Sequence, residues 1–160
     1  MLGGNSTRER SIVKKVFIIG CGDIGRRAAA LWQARGAAVA ALARSDSSAR
    51  QLQQLGITPV AGDLDQPASL QHLPLGGALL YYFAPPPADD DTDARMRAMV
   101  AAMTAGTRPD SIVYISTTGV YGDAGGALVD EFTPVAPSND RSRRRVAAES
   151  ATQAWCAARG

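Results

Sequence analysis

The run Val16 to Trp32, VFIIGCGDIGRRAAALW, constrains this chain more than any other segment. It opens with an apolar, β-branched stretch of the kind that forms a buried strand. Glycines follow at positions 20, 22 and 25, in the spacing G-x-G-x-x-G. Ile24, Ala28, Leu31 and Trp32 then recur at helical spacing, and Gly36 stops the helix. A strand that turns through glycines directly into a helix is half of a βαβ unit, and the remaining sequence repeats the theme.

AAVAALAR predicts a second strand. SDSSARQLQQLG predicts a short helix, with Ser45 or Asp46 as its N-cap and Gly56 at its end. ITPVAGD and GALLYYFAP predict the third and fourth strands, and SIVYIST the fifth. DTDARMRAMVAAMTAG and RSRRRVAAESATQAWCAAR predict two further helices. Alternation at this spacing implies right-handed crossovers and a parallel sheet covered on both faces. The expected fold is a doubly wound α/β domain of Rossmann type over residues 13–160, with strand order 3-2-1-4-5. The polar start, residues 1–12, reads as a disordered leader outside it.

In that context each glycine has a task. Gly20 permits the tight turn, Gly22 lets a pyrophosphate approach the backbone, and Gly25 lets helix and strand pack closely. The helix opening at Asp23 and Ile24 supplies unpaired N–H groups and a positive dipole end. The expected cofactor-binding set is therefore Gly20, Gly22, Asp23, Ile24 and Gly25, joined by residues at the ends of the later strands. At the end of the second strand an NAD site usually places Asp or Glu on the ribose 2′-hydroxyl. Arg44 takes that place here, and the nearest acid is Asp46. A guanidinium favours a 2′-phosphate, so NADP is expected, with NAD the alternative; Arg44 also reads as an ordinary surface arginine. Asp63 and Leu64, after the third strand, border the expected adenine pocket, Asp63 as acceptor from the adenine amino group or as a turn residue. Ala84 and Pro85 follow the fourth strand.

Composition narrows the partners. The 160 residues suffice for one domain with a real core. With 17 basic and 15 acidic residues, the net charge of +2 lacks the excess of a nucleic-acid-binding domain. The two cysteines, far apart, fit a reducing cytoplasm, and the single histidine has no metal-ligand spacing around it. No apolar run is long enough for a membrane span. The expected partners are a dinucleotide, a small substrate of unread identity and a second copy of the chain. Two small-residue apolar stretches, AMVAAMTAG and VAAESATQAWCAA, offer faces for such a dimer.

STTGVYGD after the fifth strand, then P-x-x-x-R-x-x-x-R-V-x-x-E, complete a pattern with the glycine turn, GDL and APPP. Over residues 14 to about 158 the chain resembles the extended short-chain dehydrogenase/reductases, in their NAD-dependent epimerase/dehydratase branch, and an atypical subgroup of it. The resemblance implies hydride-transfer chemistry related to nucleotide-sugar epimerases, with Thr117 polarising the substrate oxygen. It also implies a Tyr general acid/base and a Lys four residues later that lowers the Tyr pKa and holds the nicotinamide ribose. Arg141 stands at the Tyr position and Arg145 at the Lys position.

A guanidinium does not exchange its proton at physiological pH, so Arg141 cannot act as the Tyr does. Arg145 can still donate to ribose or phosphate, and Tyr121 is the nearest phenol. The expected catalytic set is Thr117, Tyr121 and Arg145, in an oxidoreductase or epimerase/dehydratase. The alternative is a non-catalytic dinucleotide-binding or redox-sensing module. The arginine run also reads as the solvated start of a helix. Family members continue into a further strand and a small substrate-binding region, so this chain is expected to lack the C-terminal substrate region.

Overall fold

The computed structural model describes residues 13–88 and 92–158, so the leader expected over residues 1–12 lies outside the described residues. Five strands, β1 (Lys15–Ile19), β2 (Ala38–Ala43), β3 (Thr58–Ala61), β4 (Leu79–Tyr82) and β5 (Ser111–Tyr114), form one sheet. Its order is β3-β2-β1-β4-β5. Every pairing is parallel; Phe17 lies between Ala40 of β2 and Leu80 of β4. Four helices alternate with the strands: α1 (Asp23–Gln33), α2 (Asp46–Gln54), α3 (Ala94–Ala105) and α4 (Asp140–Ala157). Short 3-10 turns cover Pro67–Leu70 and Thr118–Tyr121.

The near-continuous apolar run of β1 is explained by burial on both sides of the sheet. Val16 and Ile18 face a core shared with Val39, Ala41, Leu52 and Ile57. Phe17 and Ile19 face the other core, with Leu80, Met96, Met99, Met103 and Trp155. Each fully buried aliphatic or aromatic side chain contributes about 1.5–3 kcal/mol, so β1 anchors both layers.

α1 departs from the helical spacing read in the sequence. Ile24 is 53% and Leu31 61% exposed, whereas Gly25 and Ala29 are buried. The helix approaches the sheet so closely that only small residues fit the contact: a Cβ on Gly25 would sit 3.0 Å from the Gly20 carbonyl oxygen and 3.2 Å from Ile18 Cγ2.

Helix starts follow the sequence more closely. Ser45 caps α2 and exchanges bonds reciprocally with Ser48, while Asn139 caps α4 through Ser142 N–H. Asp93 caps α3, accepting from Met96 N–H at 2.9 Å while only 1% exposed. The apolar stretches offered for a dimer pack within the chain instead: Met96, Met99, Ala102 and Met103 of α3 and Ala148 and Trp155 of α4 all enter one core. The edge strand β5 leaves Val113 and Ile115 exposed.

Candidate functional site

The sheet order reverses direction between β2–β1 and β1–β4, and such a switch point opens a crevice at the carboxyl ends of the strands. The glycine turn lies there. Gly20 has φ +83°, and a Cβ on it would fall 2.5 Å from Ala84 N and 2.8 Å from the Phe83 carbonyl carbon. The turn after β1 therefore rests directly on the segment after β4, which brings Ala84 into the lining of the crevice, with Pro85 following it. Gly22 differs: it caps α1 with no side-chain bond, and nothing lies within 4 Å of where its Cβ would be. Open space at the mouth of a helix whose first N–H groups lack intrahelical partners is what a pyrophosphate needs. The Asp23 side chain does not take part; it pairs with Arg27 at 3.0 Å on the exposed flank of α1.

Two recesses flank the turn. One, of about 160 Å³, is lined by Gly20, Leu42, Arg44, Gly62, Asp63, Leu64, Asp65, Ala84 and Arg95. This brings together five of the residues expected from sequence, Gly20, Arg44, Asp63, Leu64 and Ala84. Asp63 Oδ1 accepts from Asp65 N–H at 3.0 Å in a turn, as the turn reading expects, and the residue also lines this recess. The second recess, of about 240 Å³, is lined by Cys21, Arg26, Leu42, Arg44, Ser45, Ser48, Gln51 and Leu52. Arg26 reaches it from α1 and donates to Gln51 Oε1 at 3.1 Å. Sequence reasoning missed Arg26, although it directly follows the third glycine. It also missed Arg95, whose partners are distant in sequence: its Nε and Nη2 donate to the two Asp65 oxygens at 2.6 and 2.7 Å.

Of the expected catalytic set, Thr117 and Tyr121 follow β5 and lie together, and Arg145 lies apart from them. Thr117 caps the 3-10 turn, its Oγ1 accepting from Gly119 N–H at 3.2 Å. Thr117 and Tyr121 share a shallow concavity of about 330 Å³ with Ser116, Thr118, Val120 and Glu149. Arg145 is not in that lining. It is 8% exposed, and its Nη1 donates to the Ile115 carbonyl at 2.9 Å and to Tyr114 Oη at 3.1 Å. Its guanidinium carbon lies 5.6 Å from the Tyr114 ring centre. Arg141 is exposed in the first turn of α4.

Around Arg145 sits a buried polar cluster that the sequence did not announce. Tyr82 Oη, Asp93 Oδ2, Ser116 Oγ and Arg145 Nε are buried with no hydrogen-bond partner among the described residues. Burial pushes the Tyr82 phenol far up and raises the Asp93 carboxyl, with the Arg145 guanidinium opposing both shifts. Burial also raises the Tyr114 phenol, against the hydrogen bond from Arg145. Such a phenol stays protonated at neutral pH and makes a poor base.

A parallel sheet, a glycine turn resting on the fourth strand and an open helix mouth define a nucleotide-binding α/β domain. The NAD(P)H-binding family matches residues 20–154, and the chain belongs to that family. Over 124 residues it is 31% identical to the 4-hydroxy-2-methyl-3-oxo-4-farnesyl-3,4-dihydroquinoline-1-oxide ketoreductase of Stigmatella aurantiaca, covering 72% of this chain and 37% of that protein. A solved candidate NAD-dependent epimerase/dehydratase from Methylobacillus flagellatus superposes with TM-score 0.69 at 26% identity, over 86% of this chain and 50% of that one. The UDP-N-acetylglucosamine 4-epimerase of Bacillus cereus shares the fold, with TM-score 0.71 at 15% identity, over 88% of this chain and 50% of that one. The chain thus spans about half the length of these solved structures. Its cofactor is a nicotinamide dinucleotide, and the open cradle at Gly22 fits one. Among the described residues no helix is long and apolar enough to cross a membrane, and no cluster of three or more His, Cys, Asp or Glu side chains gathers for a metal.

Proposed function

We propose that this chain is the NAD(P)-binding domain of an epimerase/dehydratase-like oxidoreductase, that it prefers NADP to NAD, and that Arg141 and Arg145 stand in place of the usual Tyr and Lys. The cofactor preference is carried by one observation: Arg26 and Arg44 line a single recess with Ser45 and Ser48, and no carboxylate among the described residues lines it. Two guanidiniums and two hydroxyls suit the oxygens and charge of a 2′-phosphate. Asp46, the nearest acid in sequence, lines a neighbouring recess. Calorimetric titration with NADP and NAD side by side tests the preference. Tighter NADP supports it, equal affinities or tighter NAD overturn it, and binding of neither overturns the domain's function.

The bound nicotinamide supplies a hydride. In this reading Thr117 orients the substrate oxygen, and Tyr121 is the phenol beside it. The second reading, a module without turnover, is favoured by Arg145, which spends its Nη1 on Tyr114 and Ile115 rather than facing a ligand. Positioned acid–base groups contribute about 10²–10⁴-fold, so their loss leaves little reductase activity. NADPH oxidation across a panel of ketones and nucleotide sugars separates the two: brisk turnover refutes the module.

A homodimer belongs to the same proposal. The edge of β5, with Val113 40% and Ile115 38% exposed, is the surface for a second copy. A monomeric sedimentation profile at micromolar concentration refutes it. The free thiols of Cys21 and Cys156 fit a cytoplasmic setting.

A further inference from the structure

Arg95 is held in an unusual way at the edge of the recess beside the glycine turn. Its Nε and Nη2 are committed to the two carboxylate oxygens of Asp65, at 2.6 and 2.7 Å, in a bidentate fork. Its third nitrogen, Nη1, donates to the Pro85 carbonyl at 3.3 Å. The side chain thus ties the loop after β3 to the segment after β4, across one end of the crevice. Three of its five N–H groups are spent on protein acceptors, and these bonds fix the guanidinium plane.

Arg95 lines a recess whose other walls suit a planar ring. Leu42 and Leu64 contribute apolar surface, and Gly62 and Ala84 add little bulk. A Cβ on Gly62 would come within 2.7 Å of Leu42 Cδ1, so the backbone there already lies tight against that wall. The second oxygen of Asp63 is the edge acceptor. Asp65 cannot compete for that role, because Arg95 occupies both its oxygens and holds its carboxyl below the ordinary carboxylate range. A guanidinium fixed in plane and lying against apolar side chains binds aromatic heterocycles by stacking.

We propose that Arg95 is the stacking wall for the adenine ring, clamped flat by Asp65 and the Pro85 carbonyl, and so determines affinity for the purine half of the dinucleotide. The proposal rests on the dinucleotide-binding reading above. It separates two arginine functions in one crevice: Arg26 and Arg44 read the 2′-phosphate by charge and forked bonds, and Arg95 reads the base by its face. Charge alone does not replace it, since an ammonium has no plane to stack.

The test is calorimetric titration of the whole chain with AMP, NADP and NAD, comparing wild type with Arg95→Lys and Arg95→Met, each first checked for a wild-type circular dichroism spectrum. Arg95→Lys is the discriminating variant, because it keeps the charge and most of the stem. Weakening of AMP, NADP and NAD by a common factor of about three to thirty in both variants is the expected result. Asp65→Asn, which loosens the clamp and leaves the guanidinium in place, weakens all three less. Wild-type AMP affinity in a folded Arg95→Lys overturns the stacking role and leaves dinucleotide binding intact. A loss confined to NADP overturns it too, since that makes Arg95 a phosphate contact. If the wild type binds none of the three, the dinucleotide reading itself falls and takes the stacking wall with it.

Discussion

Two glycines two residues apart respond oppositely to the same methyl group. Gly20→Ala places a Cβ at φ +83°, which costs an L-residue roughly 1–2 kcal/mol. The same Cβ lands 2.5 Å from Ala84 N, a backbone atom that moves only if the segment after β4 moves. Overpacking of that kind adds about 1–3 kcal/mol. The sum, roughly 2–5 kcal/mol, is a large part of the 5–15 kcal/mol that holds a typical domain folded. Gly22→Ala meets nothing within 4 Å, and Gly22 already has a negative φ of −79°. Its cost is only that of a poorer cap, below about 1 kcal/mol. Its Cβ instead occupies the space left for pyrophosphate. Urea unfolding and NADP titration of both variants check this. Gly20→Ala is expected to lose several kcal/mol, whereas Gly22→Ala unfolds near the wild-type midpoint and loses affinity, with Gly22→Val losing more. Wild-type stability in Gly20→Ala, or full affinity in Gly22→Ala, refutes the reasoning.

Other expectations concern single side chains. Arg44→Ala and Arg26→Ala each weaken NADP by roughly 1.5–3 kcal/mol and NAD far less, measured by titration; equal losses for both cofactors count against a 2′-phosphate site. Arg145→Lys cannot reach both the Ile115 carbonyl and Tyr114 Oη and lowers stability by about 1–3 kcal/mol, so the double change Arg141→Tyr, Arg145→Lys gains turnover only if the fold tolerates that loss, as thermal melting paired with NADPH oxidation reports. Asp93 has a folded pKa raised by burial, so the native state binds its proton more readily than the unfolded chain does. Its contribution therefore improves as pH falls from above the raised folded value toward the ordinary carboxylate range, and Asp93→Asn, which keeps the cap, flattens that part of the pH–stability curve in urea unfolding.

The order of elements was legible because β1, the glycine turn and the later strands each carry a local pattern that the global fold agrees with. The helix start at Ser45 was equally local. α1 was harder, because its contact face is made of Gly25 and Ala29, and hydrophobic periodicity is blind to a face built from small residues. Where a motif fixes spacing, the sequence anticipated which residues come together beside the turn after β1, as with Gly20 and Asp63. Arg95 and Asp65 are 30 residues apart, and Arg145 meets Ile115 at the same separation. Neither pairing leaves a trace in local sequence, since each depends on how the chain folds back over the residues between its two partners. Arg145, expected from sequence as a donor to ribose or phosphate, is buried and braces the carboxyl end of β5 through Nη1.

The two tryptophans divide between the two faces of the sheet. Trp32 packs against the core of Val16, Ile18 and Val39 and donates to Tyr81 Oη at 3.1 Å, with Arg35 5.4 Å from its ring centre. Trp155 lies in the core of Met96, Met99 and Tyr82. The molecule therefore carries one intrinsic fluorophore per layer. In the single-tryptophan variants Trp155→Phe and Trp32→Phe, emission follows one layer at a time. Superimposable melting curves mean the sheet unfolds as a unit, and separated curves mean that one layer of helices peels from it first.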